Sequence, residues 1–268
     1  MRIISSGFAG ILVAAALVAA PTAHAGRSCA TQKLTSRVLE NGLAMAEKTM
    51  KALDASGERV VLLARSGQDL SKYGLHYSHF GFAYRQPDGK GGHQWRVVHK
   101  LNSCGTAEAH IFRQGLAEFF LDDPWRYEAA WLAPNSELQE RLLPLLQDDA
   151  KVLLLHNKTY SMVSYPWSTK YQQSNQWVIE TLAAAAEPGV TSRDKAQAWL
   201  KFKGYEPTAL KLTAIERLGA RVTAANVAFD DHPNEKRFSD RIETVTVDSV
   251  FAWIQRAQLG KPSVAVKL

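Results

Sequence analysis

Leu39, Leu43, Ala46, Met50 and Leu53 recur at intervals of four, three, four and three residues. That spacing predicts a helix over 34–53 with one apolar stripe, ended by the breaker Asp54-Ala55-Ser56-Gly57. Val60 to Ala64 is a short apolar run and predicts a buried strand. Tyr77 to Arg85 and Trp95 to Leu101 flank the turn-rich segment 86–92 and predict two strands of a hairpin. Beyond it the pattern predicts a helix over 111–120, a strand over 128–132 and a helix from Ser136 to about Leu146, with Glu137 and Glu140 near its positive end. An apolar strand is expected over 151–155, then a helix over 174–186 stopped by Pro188-Gly189. Helices near 193–202 and 208–219, a strand near 221–229, a polar loop over 230–234, a strand near 242–247 and a helix near 248–257 complete the pass. This order reads as an α+β mixture, and Pro188-Gly189 is the best internal boundary, separating 26–187 from 188–268.

The first 25 residues change the picture. Arg2, an apolar run over 8–20 and Ala23-His24-Ala25 have the form of a removable leader, with cleavage before Gly26. The run is shorter than the ~20 residues a spanning helix needs, and no later segment is apolar enough to cross a bilayer. The expectation is a periplasmic or secreted protein without a transmembrane anchor. In such an oxidising compartment Cys29 and Cys104 are expected to form a disulfide. A hydrophobic content of 46% with 22% charged residues excludes a disordered chain, a collagen-like repeat and a coiled-coil rod.

Charge is uneven. Residues 26–150 carry 15 basic and 15 acidic side chains, and residues 151–268 carry 16 and 11. Over 193–221, Arg193, Lys195, Lys201, Lys203, Lys211, Arg217 and Arg221 face three acids. No nucleic-acid recognition motif accompanies this excess. It reads as a solvated helix face or as attraction to an anionic envelope surface.

No Gly-x-Ser-x-Gly elbow, His-Glu-x-x-His or phosphate-cradling glycine loop occurs, and no cofactor is indicated. Ser192-Arg193-Asp194-Lys195 reads as a helix start with Ser192 as its cap. In the hairpin, Phe80, Phe82 and Tyr84 point one way and should be core, while His79, Gly81 and Ala83 point the other. Two small residues beside a histidine leave room for a helix to approach that face. If Arg85 pairs with Trp95, Gly81 faces His99, and His79 and His99 lie diagonally on one face as a base with an orienting partner. His76 and His79 fall on opposite faces, so no metal site is expected. Ser174 stands where a polar loop enters a helix whose buried face is Trp177, Val178 and Leu182. It is either a helix cap or a group placed where the helix dipole favours negative charge. Tyr160, Tyr165, Trp167, Tyr171 and Trp177 form an aromatic-rich run that either lines a groove or packs the core. Tyr165, Trp167 and Tyr171 are its candidate binding residues.

Ser78-His79-Phe80-Gly81 resembles the histidine motif of the permuted papain-like fold, found in NlpC-like thiol peptidases and the related lecithin:retinol acyltransferase group. Gln173-Ser174-Asn175-Gln176-Trp177-Val178 resembles their nucleophile motif, with serine where cysteine is expected. The likeness covers about 34–186. Over most of 28–260 the chain also resembles the uncharacterised secreted family called domain of unknown function 2145. These resemblances imply a papain-like core over 26–187, with antiparallel sheet and packed helices, and a basic extension of mixed helix and strand over 188–268. They also imply Ser174 as nucleophile, His79 as general base and His99 as orienter. The implied function is a periplasmic hydrolase or acyltransferase acting on amide or ester bonds of a cell-envelope component, peptidoglycan or lipid. The alternatives are a non-catalytic envelope-binding protein that keeps the groove, and a structural or interaction protein.

Overall fold

Phe80, Phe82 and Tyr84 leave one face of a strand and Ala83 leaves the other, and a computed structural model of the protein has a separate core against each face. It describes residues 35–122 and 124–268. The leader expected over 1–25 and Cys29 lie outside them, so neither cleavage nor a Cys29–Cys104 bridge is described.

The strands are β1 (Val60–Arg65), β2 (His79–Pro87), β3 (His93–Asn102), β4 (Ala109–Gly115), β5 (Glu128–Leu132), β6 (Thr208–Lys211), β7 (Arg241–Thr244) and β8 (Val264–Lys267). Six form one antiparallel sheet in the order β4-β3-β2-β1-β5-β8, and β6 and β7 form a separate ribbon. The helices are α1 (Ser36–Ser56), α2 (Leu116–Phe120), α3 (Ser136–Gln147), α4 (Asp149–Val152), α5 (Ser174–Ala186), α6 (Arg193–Phe202), α7 (Ala214–Thr223), α8 (Asn234–Phe238) and α9 (Val247–Arg256). The architecture is α+β. Leu142 of α3, Trp177 of α5, Leu200 of α6 and Trp253 of α9 join Phe80, Phe82 and Tyr84 in the larger core. Met45 and Leu53 of α1 and Phe119 of α2 cover the opposite face with Ala83, Trp95 and Val97. The segment after residue 188 therefore shares the main core, and β8 belongs to the main sheet.

The hairpin has the expected register: Arg85 pairs with Trp95 and Phe82 with Val98. Gly81 is required there for a different reason than a helix approaching. A Cβ on it would sit 2.6 Å from the carbonyl oxygen of Val98 and 2.7 Å from Cβ of His99. The space serves the neighbouring strand and the imidazole it carries.

Several expected elements differ. The buried line of α1 is Gly42, Met45, Ala46, Thr49 and Leu53, while Leu39, Leu43 and Met50 are exposed. Gly42 lets the helix turn this side toward the chain at Phe120 and Leu121. The helix expected over 111–120 is β4 as far as Gly115, followed by the single turn α2. The strand expected over 151–155 is α4 and a turn, because the Asp148 carboxylate accepts from the N–H groups of Ala150 and Lys151 and starts a helix there. The helix expected over 208–219 divides into β6 and α7: Thr213 and Glu216 make a reciprocal capping box that begins a new helix. That helix continues to Thr223, so the strand expected over 221–229 does not form. α5 matches its expected limits, but it is buried almost all round rather than on one face.

Candidate functional site

Where β2 begins, a cleft of about 950 Å³ opens between the segment over 65–79 and the segment over 210–229. Leu70, Tyr73 and Leu75 line one side, and Leu210, Leu212 and the inner face of α7 (Glu216, Gly219, Ala220) line the other. Lys72 reaches across it, its Nζ 2.7 Å from Glu216 Oε1. Beside that ion pair the Glu216 carboxyl is depressed to about 2. The polar lining includes His79, Tyr160, Gln173, Ser174, Asn175 and Thr244.

His79 and His99 meet as the hairpin register requires. His79 Nε2 lies 2.8 Å from His99 Nδ1, and His99 Nε2 lies 2.7 Å from Gln114 Oε1. Burial, then the neighbouring His99 and Arg65, holds His79 well below its usual value. Burial, then Arg65, holds His99 near about 4. Both rings are therefore neutral at ordinary pH. An amide oxygen only accepts, so His99 Nε2 carries the proton. Its bare Nδ1 then accepts from Nε2–H of His79, which leaves Nδ1 of His79 with a free lone pair. The pair is packed by Phe119, whose ring centre is 6.1 Å from that of His79 and 5.3 Å from that of His99. Arg65 lies over the same ring at 4.8 Å, donates to the Phe119 carbonyl, and is bonded to Asp122 at 2.5 Å.

Ser174 is not the cap of α5. Gln173 holds the cap position and gives the first turn no side-chain acceptor, so Ser174 is the first helical residue. The leading N–H groups of a helix have no partner within it and suit a developing anion. The Ser174 hydroxyl lies beside Tyr160, whose phenol is raised by burial and so stays protonated. Among the described residues no hydrogen bond joins Ser174 to His79. The reason is the side each occupies. His79 belongs to the row facing Phe119, whereas α5 packs on the Phe82 side, with Trp177 5.9 Å from Phe82. The two side chains share the cleft only because it lies where the sheet ends. Next to Ser174, Asn175 is 5% exposed; its Nδ2 reaches the carbonyls of Ser78 (3.5 Å) and Val245 (3.4 Å), and its Oδ1 has no partner.

Tyr165, Trp167 and Tyr171 do not line this cleft; they fasten the loop over 153–173 to the rest of the chain. The Tyr165 N–H donates to Asp231 at 2.8 Å and its ring packs 5.1 Å from His232. Trp167 lies 6.0 Å from Tyr205, with Lys201 over its face. The Tyr171 hydroxyl bonds Asp230 at 3.0 Å. From the same run only Tyr160 reaches the cleft. Gln114 and Asn175 are site residues the sequence reading did not single out: Gln114 fell in a segment read as helix, and Asn175 was seen only as part of a motif. Cys104 lines the cleft as well. Among the described residues no group of three or more His, Cys, Asp or Glu side chains could hold a metal ion.

Behind Ser174 lies a buried polar relay. Lys100 donates to Asn157 O at 2.6 Å and Gln172 Oε1 at 2.7 Å, and Gln172 donates to Glu180 at 2.6 Å. Glu180 also accepts from Arg193 Nε at 2.7 Å and Gln197 at 2.9 Å. Arg193 additionally donates to the carbonyls of Thr169, Ser168 and Tyr171. Loops are placed by such contacts when they have no secondary structure of their own, and this one delivers Gln173 and Ser174 to the cleft.

No curated protein and no solved structure matches the chain. The model of a family described as an uncharacterised protein conserved in bacteria, domain of unknown function 2145, matches residues 52–254, and the chain belongs to that family.

Proposed function

We propose that the protein is a hydrolase or acyltransferase acting on amide or ester bonds of the cell envelope, with Ser174 as nucleophile, His79 as general base and His99 as its orienter. The observation that carries this reading is the relay Gln114–His99–His79, which leaves a neutral imidazole with a bare Nδ1 in the cleft that also holds Ser174. The order of hairpin histidine, orienting residue and nucleophile-bearing helix supports a permuted papain-like core, and the leader-like segment over 1–25 supports a periplasmic or secreted location.

In this mechanism the Ser174 hydroxyl turns toward His79, and Nδ1 takes its proton as the oxygen attacks the carbonyl. The developing oxyanion is met by backbone N–H groups at the start of α5. His79 returns the proton to the leaving amine or alcohol, and an acyl-serine remains. Water or another acceptor then attacks the acyl-serine and releases the enzyme. The His99 Nδ1 lone pair accepts the Nε2–H of the imidazolium and keeps the ring in place.

The test is labelling by a fluorophosphonate probe. Wild-type protein should label, and Ser174→Ala and His79→Ala should each lose the signal by ~100-fold or more. Ser174→Cys should gain rapid alkylation by iodoacetamide that His79→Ala removes. Labelling that persists in Ser174→Ala rejects the catalytic assignment. A second reading, a non-catalytic envelope-binding protein, is favoured by the orphaned acceptor Oδ1 of Asn175. In that case neither wild type nor Ser174→Cys reacts.

A further inference from the structure

The helix α7 is amphipathic with its apolar side outward. Ile215, Leu218 and Val222 are 83%, 65% and 78% exposed. Their spacing of three, four and seven residues puts them on one stripe. The adjoining side of the helix, Glu216, Gly219, Ala220 and Thr223, lines the cleft. The helix is nevertheless firmly placed. Thr213 caps it, and Arg217 is ion-paired to Asp240 at 2.7 Å. An exposed stripe on an anchored helix is not a frayed core segment, and it needs an occupant.

The charges around it select one. Arg221 lies on α7 beside Leu218, one helical step from the stripe. Lys211 and Arg237 flank the helix in sequence and through the Arg217–Asp240 contact. None of these three cations has an ion-pair partner among the described residues, whereas of the acids over 211–241 Glu216, Asp230 and Asp240 are each paired to a lysine or arginine and Asp231 meets His232. Arg237 stacks on Phe238, itself 73% exposed, two residues before Asp240. Three apolar side chains on a ten-residue helix fall well short of the ~800 Å² per partner of a stable protein interface. They do suit the shallow insertion of an apolar stripe with basic flanks into a headgroup layer.

We infer that the outward face of α7, with Arg221 beside it and Lys211 and Arg237 on the adjoining segments, docks on an anionic phospholipid bilayer. The inference does not depend on the chemistry assigned to Ser174.

The test is co-sedimentation of the purified protein with phosphatidylcholine vesicles with and without phosphatidylglycerol. Wild type should bind the anionic vesicles and lose binding as salt is raised. Leu218→Ser with Val222→Ser should weaken that binding by ~10-fold or more. Arg221→Glu should weaken it roughly fivefold or more. All these side chains are exposed, so the melting temperature should not move. The inference is overturned if wild type ignores phosphatidylglycerol, or if the Leu218/Val222 variant binds as well as wild type. It is also overturned if light scattering shows a dimer that the same variant dissociates, which would assign the face to a second copy of the chain.

Discussion

His99 is a buried imidazole bracketed by an imidazole and an amide, and its place has a consequence for stability. In the unfolded chain a histidine titrates near ~6.5; in the fold His99 is held near about 4. Between these values the unfolded state binds more protons, so stability is complete above ~6.5 and falls as pH drops toward 4. His99 alone accounts for a loss on the order of 3 kcal/mol across that window, and His79 adds in the same direction. Urea melts at pH 7 and pH 4.5 should show this loss, and His99→Gln should remove much of the difference. An equal difference in the variant would mean that other groups carry the acid sensitivity. The same depression keeps His79 in its basic form, so any activity should hold well below pH 6.5 on its acid side.

The helix α5 and the loop before it behave as one unit, tied at Glu180. Replacing Arg193 with Met would leave that carboxylate buried without its cation, which typically costs ~3–5 kcal/mol. The double variant Arg193→Met, Glu180→Gln should recover a good part of the loss in urea midpoints. A single variant within about 1 kcal/mol of wild type would show that the relay from Lys100 to Gln197 does not hold the loop. At the far end of that relay Lys100 is pushed down to about 6, by burial first and then by Arg193. At the scale of elements the sequence was readable where a local signal decides. Alternation and an assumed pairing of Arg85 with Trp95 placed His79 against His99, and Pro188-Gly189 ended α5. It was unreadable where partners decide. Residues 111–115 and 208–211 become strands because β3 and β7 offer them edges, and that information is not local. The Ser174–Tyr160 contact was hidden for the same reason: it depends on a loop folded by Glu180 and Arg193, distant in sequence from the hairpin.

Across the whole molecule, the cleft joins the first strands of the sheet to the segment over 210–229, and the Lys72–Glu216 pair is the charge contact between them. Both side chains are solvated, so the pair contributes little to global stability. Its effect should be local. Lys72→Glu should leave the melting temperature unchanged while speeding amide hydrogen exchange in α7 and along the cleft lip. Unchanged exchange in α7 would mean that the Thr213 cap and Arg217 hold the helix unaided.

The strand β8 comes later in the chain than every other element described, yet it lies beside β5 in the main sheet. The chain reaches it through Gly260, where a Cβ would meet the carbonyl of Ala133 at 2.7 Å. A nascent chain that has emerged as far as α9 therefore has an unprotected sheet edge at β5. During synthesis this partly made protein carries a sticky seam until β8 arrives, and that seam is where a holding chaperone would have most to cover.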